Sequence, residues 1–299
     1  MQEFPHITKA EWLEKVEKDL KGKPLDSLNW EVEGETFTPF WHGEDQKSKQ
    51  NNFIAAETNE WGIGETISVK NNLTEANSQA LTALQNGANC LCFICQAPLK
   101  KSQKDELLEG IFLNMVRIIF QYPETIEGGN TNHIDLRNDS PSIHELAKGL
   151  SMAQATYPQQ PTFWISPNDD FFQSIAIIRA MRLCWQIIPD AHQNAEFCQI
   201  IAHIKKLPGK TENDQKIAST SMAMGAIIGG ADYLFIDPSD NEDGTVFTRR
   251  VARNIQHVLQ HESYFDRVIN PSAGSYYIEA LTDTYARKIW AEFQQLVSE

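Results

Sequence analysis

Short apolar runs alternate with amphipathic stretches along most of the chain. The runs are Thr66–Val69, Cys90–Cys95, Met115–Phe120, Asn132–Leu136, Pro161–Ile165, Phe197–Ile204 and Ala231–Ile236. Their length and their β-branched and aromatic content suit buried strands. Helical spacing fills the intervals: Thr74–Gln85, a stretch around Lys104–Gly110, Pro141–Ala153, Asp169–Ile187 and Asp214–Ile227. Two more helices, Phe247–Tyr264 and Glu279–Val297, come last. Strands alternating with helices predict a parallel sheet with helices outside it. Seven such strands and one unassigned, in about 240 residues, fit a closed (β/α)8 barrel better than an open doubly wound sheet.

The first sixty residues follow a different pattern. Thr8 can cap a helix over Lys9–Lys21, which places Trp12, Val16 and Leu20 on one face before Gly22 and Pro24 end it. From Leu25 to Glu60 the chain is polar, with Trp30, Phe37, Phe40 and Trp41 spaced along it, and Gln46–Asn52 reads as a charged loop. The expectation is an N-terminal helix and extended arm over residues 1–60 and a barrel over 61–299. The arm would lay its aromatics either on a partner or back on its own barrel. Phosphate fingerprints that would favour an open sheet, G-x-G-x-x-G and G-x-x-x-x-G-K-[ST], do not occur, and Gly62-Ile-Gly64 is too short to count.

Charge and cysteine usage narrow the function classes. Lys and Arg number 26 against 40 Asp and Glu, a formal charge of −14. That balance disfavours nucleic acid and anionic membrane surfaces as partners. No uninterrupted apolar window has the length of a membrane span, and Met1–His6 shows no signal-peptide pattern. Five cysteines, an odd number, suit a reducing cytoplasm.

Candidate chemistry is sparse. In Cys90-Leu-Cys92-Phe-Ile-Cys95 the first two thiols share a strand face and the third points away, so buried thiols are expected rather than a metal site. His257 and His261 stand i, i+4 on a helix without H-E-x-x-H, which suggests a surface pair. Asp169-Asp170 opens a long helix and reads as a cap. Asp237 directly follows a strand and would sit at the C-terminal rim, where barrels place their chemistry. Structural and functional roles are evenly balanced for it. No G-x-S-x-G elbow is present.

Two dense strings remain. One is Phe171-Phe-Gln-Ser-Ile-Ala-Ile-Ile-Arg-Ala-Met-Arg-Leu-Cys-Trp185. The other starts at Arg249-Arg-Val-Ala-Arg-Asn-Ile-Gln-His-Val-Leu-Gln-His-Glu-Ser263 and continues from Arg267 through Asn270-Pro-Ser-Ala-Gly-Ser-Tyr-Tyr-Ile-Glu-Ala-Leu-Thr282. Both resemble stretches of the adenosylcobalamin-dependent methylmalonyl-CoA mutase family. The opening Trp12…Lys18-Asp-Leu-Lys-Gly22 is similar to that family's start. The resemblance implies a barrel that threads CoA along its axis, a radical interconversion of methylmalonyl-CoA and succinyl-CoA, and a separate cobalamin domain with a D-x-H-x-x-G motif.

Departures from the family pattern shape the functional expectation. D-x-H-x-x-G does not occur in the 299 residues, so this chain is expected to bind no cobalamin itself. Catalytic members read S-L-H-T-N where this chain has Tyr233-Leu-Phe235-Ile-Asp237. They read L-R-T-H-S-Q-T-S-G where it has Ile200-Ile-Ala-His-Ile-Lys-Lys-Leu-Pro208, which keeps only His203. The family's catalytic-His loop is reduced to Asp135-Leu-Arg-Asn-Asp-Ser140. His203 and Asp237 are the remaining weak candidates for a substrate site at the rim.

In the strands Met115–Phe120 and Tyr233–Ile236, Val116, Ile118 and Phe120 alternate with Met115, Arg117 and Ile119, and Tyr233 and Phe235 with Leu234 and Ile236. Both are bulky on whichever face turns inward, so a plugged barrel is expected. The resemblance then implies a non-catalytic small subunit that pairs with a large catalytic mutase subunit. The alternatives are an active acyl-CoA mutase barrel working with a separate cobalamin-binding chain, and an unrelated anion-binding barrel.

Overall fold

A computed structural model describes residues 7–42, 45, 58–70, 72–128, 131–137, 141–191, 197–241 and 243–298. The expected loop Gln46–Asn52 and the Asn138–Ser140 part of the shortened loop lie outside them.

Helix α1 (Lys9–Asp19) starts where expected: the Thr8 hydroxyl accepts the Glu11 amide, and Glu11 reaches back to the Thr8 backbone. The arm that follows is more ordered than its polarity suggests. Strands β1 (Trp30–Val32) and β2 (Glu35–Phe37) form a hairpin whose two turn residues, Glu33 and Gly34, have φ of 51° and 70°. Two consecutive positive φ values define the turn that matches strand twist. The hairpin folds back on the protein's own last helix. Trp30 Nε1 donates to the Tyr277 hydroxyl at 3.2 Å, Phe37 packs edge-on against the same ring, and Glu35 accepts from Thr284 and Arg287. Phe40 meets Trp12 at 5.4 Å between centroids. An arm extended throughout is therefore corrected to a hairpin: alternating residues gave it an inward face that the C-terminal helix could bury.

The barrel strands are β3 (Gly62–Val69), β4 (Cys90–Cys95), β5 (Arg117–Gln121), β6 (Ile126–Glu127), β7 (Asn132–Leu136), β8 (Pro161–Ile165), β9 (Gln199–Ile204) and β10 (Tyr233–Ile236). They form one eight-stranded sheet in the order β6-β5-β4-β3-β10-β9-β8-β7. Seven are parallel, and they are the seven that the apolar runs predict. The eighth, β6, is two residues long and antiparallel to β5, and no backbone ladder joins it to β7. Only ten residues separate β5 from β7. That is too short for a crossover helix and a parallel strand, so the barrel is nearly closed and has a seam there.

Outside the sheet lie α2 (Leu73–Gln85), α3 (Lys101–Leu107), α4 (Ile143–Ala155), α5 (Phe171–Ala191), α6 (Glu212–Ile228) and α7 (Val246–His261), with α8 (Tyr276–Ser298) packed on α4 and α5. Side-chain caps fix their starts: Asn72, Ser142, Thr211 and Thr245 each accept an amide three residues on, and Asp170 accepts the Gln173 amide. Of the expected Asp169-Asp170 cap, Asp170 makes the capping bond to α5. That helix is long and apolar enough to suit a membrane span by composition, yet 67% of its apolar window is buried inside the protein.

The polar residues of the two dense strings bind the scaffold together. Arg179, 1% exposed on α5, donates to Asn270, to Ser272 at 2.9 Å, to Thr282 at 3.3 Å and to Glu279 at 2.9 Å. One guanidinium therefore joins the first string to the turn and helix of the second. Arg182 reaches Asp232 at 2.9 Å and the carbonyls of Gly230 and Cys198. On α7, Arg249 and Arg253 both pair with Glu65 of β3.

Candidate functional site at the barrel axis

Residues of alternating parity on each strand point into the lumen. Cys90, Cys92, Ile119, Trp164, Ile201 and Phe235 form a closed cluster there, each with no exposed surface, and Ile126 and Tyr233 pack against it. The Trp164 and Phe235 rings meet at a 35° tilt with centroids 5.4 Å apart, and His203 meets both rings edge-on. Neighbouring β3 leaves room for the Tyr233 and Phe235 rings by carrying glycine at the two positions that face them. Tyr233 pairs with Gly62 and Phe235 with Gly64, and a Cβ on Gly64 would come within 2.6 Å of the Phe235 ring. This requirement explains why β3 begins at Gly62: the glycines, which suggest loop in the sequence, are strand residues that leave room for rings. Cys95 instead joins the outer layer between sheet and helices. Burial pushes Cys92 up to about 12 and Cys95 to about 11, so these thiols are not nucleophiles.

A charged cap closes the C-terminal end over the rings. His203 from β9 and Asp237 just past β10 come together, with Nε2 2.7 Å from Oδ1. Arg137, 7% exposed at the end of β7, holds both Asp135 oxygens at 2.7 and 2.5 Å, donates to Gln121 at 3.1 Å and lies 4.4 Å from the Trp164 ring centre. It also lies 3.2 Å from His203 Nδ1. A guanidinium only donates, so Nδ1 accepts, and the His203 proton sits on Nε2, facing Asp237; this tautomer is assigned from the partners. Lys205 donates to the Arg137 carbonyl. Burial raises the Asp237 carboxyl, but the contacts with His203 and the charges of Lys205 and Arg137 outweigh it and hold it below the usual range. Asp135 is depressed likewise: burial opposes, and Arg137 prevails.

This cap is charge-balanced and internally satisfied. Two carboxylates face a guanidinium and an ammonium, and both nitrogens of the 5%-exposed His203 are engaged. A His–Asp pair of this kind resembles a general base, but no nitrogen is left to take a substrate proton. The sequence singles out His203 and Asp237 separately, and the fold joins them. Gln121 is missed by sequence reasoning, and Asp135 and Arg137, though they lie in the segment matched to the family's catalytic-His loop, are given no role by it. A second signal is charge and amide groups at or just past the C-terminal ends of strands, where a barrel gathers side chains.

At the opposite mouth a cavity of about 610 Å³ opens to solvent, lined by Glu60, Asn89, Asn114 and Met115 and floored by Arg117 and Tyr233. Arg117 donates to Gln199 at 2.5 Å and lies over the Tyr233 ring at 4.8 Å. The lining reaches these two side chains and none of the lumen cluster beyond them.

The methylmalonyl-CoA mutase family model matches residues 144–299, the half that carries Arg179, Arg182 and the α7–α8 string. A methylmalonyl-CoA mutase small subunit of Porphyromonas gingivalis is 27% identical over 97% of this chain and 63% of its own length. A probable small subunit of Mycobacterium bovis is 34% identical over 50% of the chain and 26% of its own length, so the chain spans less than two thirds of either relative. Among solved structures, dihydropteroate synthase of Burkholderia cenocepacia aligns at a TM-score of 0.29 and 11% identity, over 67% of this chain and 93% of that one. On the family match, this chain belongs to the methylmalonyl-CoA mutase family.

Proposed function

We propose that this chain is a small-subunit-like, non-catalytic component of an adenosylcobalamin-dependent methylmalonyl-CoA mutase, working in the cytoplasm against a large catalytic subunit. The observation that carries this reading is the filled axis: Trp164, Phe235, Ile201 and Ile119 occupy the lumen with no exposed surface. A CoA chain passing there would have to displace two aromatic rings, each of which contributes about 1.5–3 kcal/mol by its burial. The names of its relatives, small subunits, support the partner.

The residues present do not fit adenosylcobalamin at the rim. A lower cobalt ligand needs a histidine nitrogen facing outward. His203 is buried with both nitrogens bonded, and His133, the other histidine at the axis, contacts Trp164 and the Gly128 carbonyl. No catalytic step is assigned to these side chains. Their work is to make a rigid barrel whose outer faces a partner can grip.

Affinity capture of the tagged chain from its source cell tests the reading. A large mutase subunit eluting with it, and cobalamin found only with that complex, is the expected result. Elution alone, or with a lone cobalamin-binding chain, would overturn it.

A further inference from the structure

The seam between β6 and β7 is the one junction of the barrel without a backbone ladder among the described residues. Side chains close it instead. Arg117 of β5 donates to Thr131 at 3.4 Å near the bottom, and Arg137 donates to Gln121 of β5 at 3.1 Å at the top. Between them His133 of β7 bonds the Gly128 carbonyl, beyond β6, at 2.7 Å through Nε2. The same ring receives the Trp164 indole N–H on Nδ1 at 2.9 Å. An indole nitrogen only donates and a carbonyl only accepts, so both contacts are satisfied by one species alone: the neutral ring with its proton on Nε2.

We propose that His133 is a proton-operated clasp that fastens both the barrel seam and the Trp164 plug, and that it releases them when the ring takes a second proton. Protonation at Nδ1 sets N–H against N–H at Trp164, so the hydrogen bond that holds the Trp164 indole is lost. The Gly128 contact survives, but the ring must turn away from the indole, and the middle of the seam loosens with it. Charges around the ring favour the neutral form. Arg117 faces it from β5 and Arg137 from its own strand, while Asp135 is occupied by Arg137, and Thr131 offers a hydroxyl at 3.5 Å. Glu127 of β6 points outward to Lys104. Burial and the two guanidinium groups together depress the proton affinity of His133, against the opposing effect of the Gly128 bond.

Amide hydrogen exchange on the intact chain, corrected for intrinsic rates, measures the release. Between pH 7.5 and 5.5, protection at Ile126–Glu127 and Asn132–Leu136 is expected to fall by up to about tenfold, the limit that one proton on the released ring can set, while β3, β9 and β10 change less than about twofold. In His133→Gln that fall should disappear. Because this variant could fold poorly, the wild-type ring supplies a second readout: its nitrogen-15 shifts should report an unprotonated Nδ1 and a protonated Nε2 at pH 7.5. Equal protection at both pH values, an intact pH response in His133→Gln, or an Nδ1-protonated ring would each overturn the proposal.

Discussion

The ring of Phe235 occupies the space where a side chain on Gly64 would stand, the two being register partners on adjacent parallel strands. An alanine Cβ there would approach ring carbons to 2.6 Å, a distance that packed atoms do not tolerate. The plug is therefore built by two strands together, one supplying bulk and the other withholding it.

Gly64→Ala is expected to cost about 1–3 kcal/mol by overpacking, and Phe235→Ala about 3–5 kcal/mol by leaving a cavity. The double variant should be more stable than the sum of the two losses, because the new methyl enters the vacated space. Urea midpoints of the four proteins decide it. Additive losses would mean that the ring does not lie where the structure places it.

All five cysteines are buried, and burial pushes the thiols of Cys92, Cys184 and Cys198 to about 12. The native protein should react with none of its thiols during an hour of exposure to a thiol-specific disulfide reagent at pH 8. After denaturation it should titrate five. Rapid labelling of even one in the folded state would contradict this packing.

Removing Arg179 should destabilise the chain by about 3 kcal/mol, since Glu279 and the Asn270–Ser272 turn lose their shared partner in a buried setting. Arg287→Ala, at a 56%-exposed side chain that pairs with Glu35 and Asp283, should cost less than about 1 kcal/mol. Thermal unfolding compares them, and equal losses would show that the strings are not joined through Arg179.

Much of this was legible from residue patterns, and the exceptions have physical causes. Asn132–Leu136 and Pro161–Ile165 are strands with the expected bounds: the second is an apolar run, and the first alternates, with Ile134 and Leu136 buried on one face. β3 was half hidden, since Gly62 and Gly64 look like loop until the rings facing them are known. The eighth strand was unreadable: two residues hold no periodicity. His203 and Asp237 could be picked out by their positions after aligned strings, but a 2.7 Å contact between residues 34 apart depends on strand register. The tie between Arg179 and Asn270 was invisible for the same reason, although both residues lie in strings that already stood out.

Asp135 and Asp237 release their protons more readily folded than unfolded, against a usual value of 3.8. Below that value the unfolded chain binds more protons, so the stability they contribute is complete above about pH 4 and lost as pH falls further. In Asp237→Asn the decline in urea midpoint between pH 4 and 2 should be shallower than in wild type, and the midpoint at pH 7 lower. Parallel pH profiles would show that the rim carboxylate is not held by His203, Lys205 and Arg137. This window lies well below the one in which His133 acts.

The most direct measurement on the central claim, that the axis is closed to a thioester chain, is calorimetric titration of the purified chain with methylmalonyl-CoA. With Trp164 and Phe235 across the lumen, no saturable heat is expected up to millimolar ligand. A micromolar dissociation constant would mean that the barrel admits CoA.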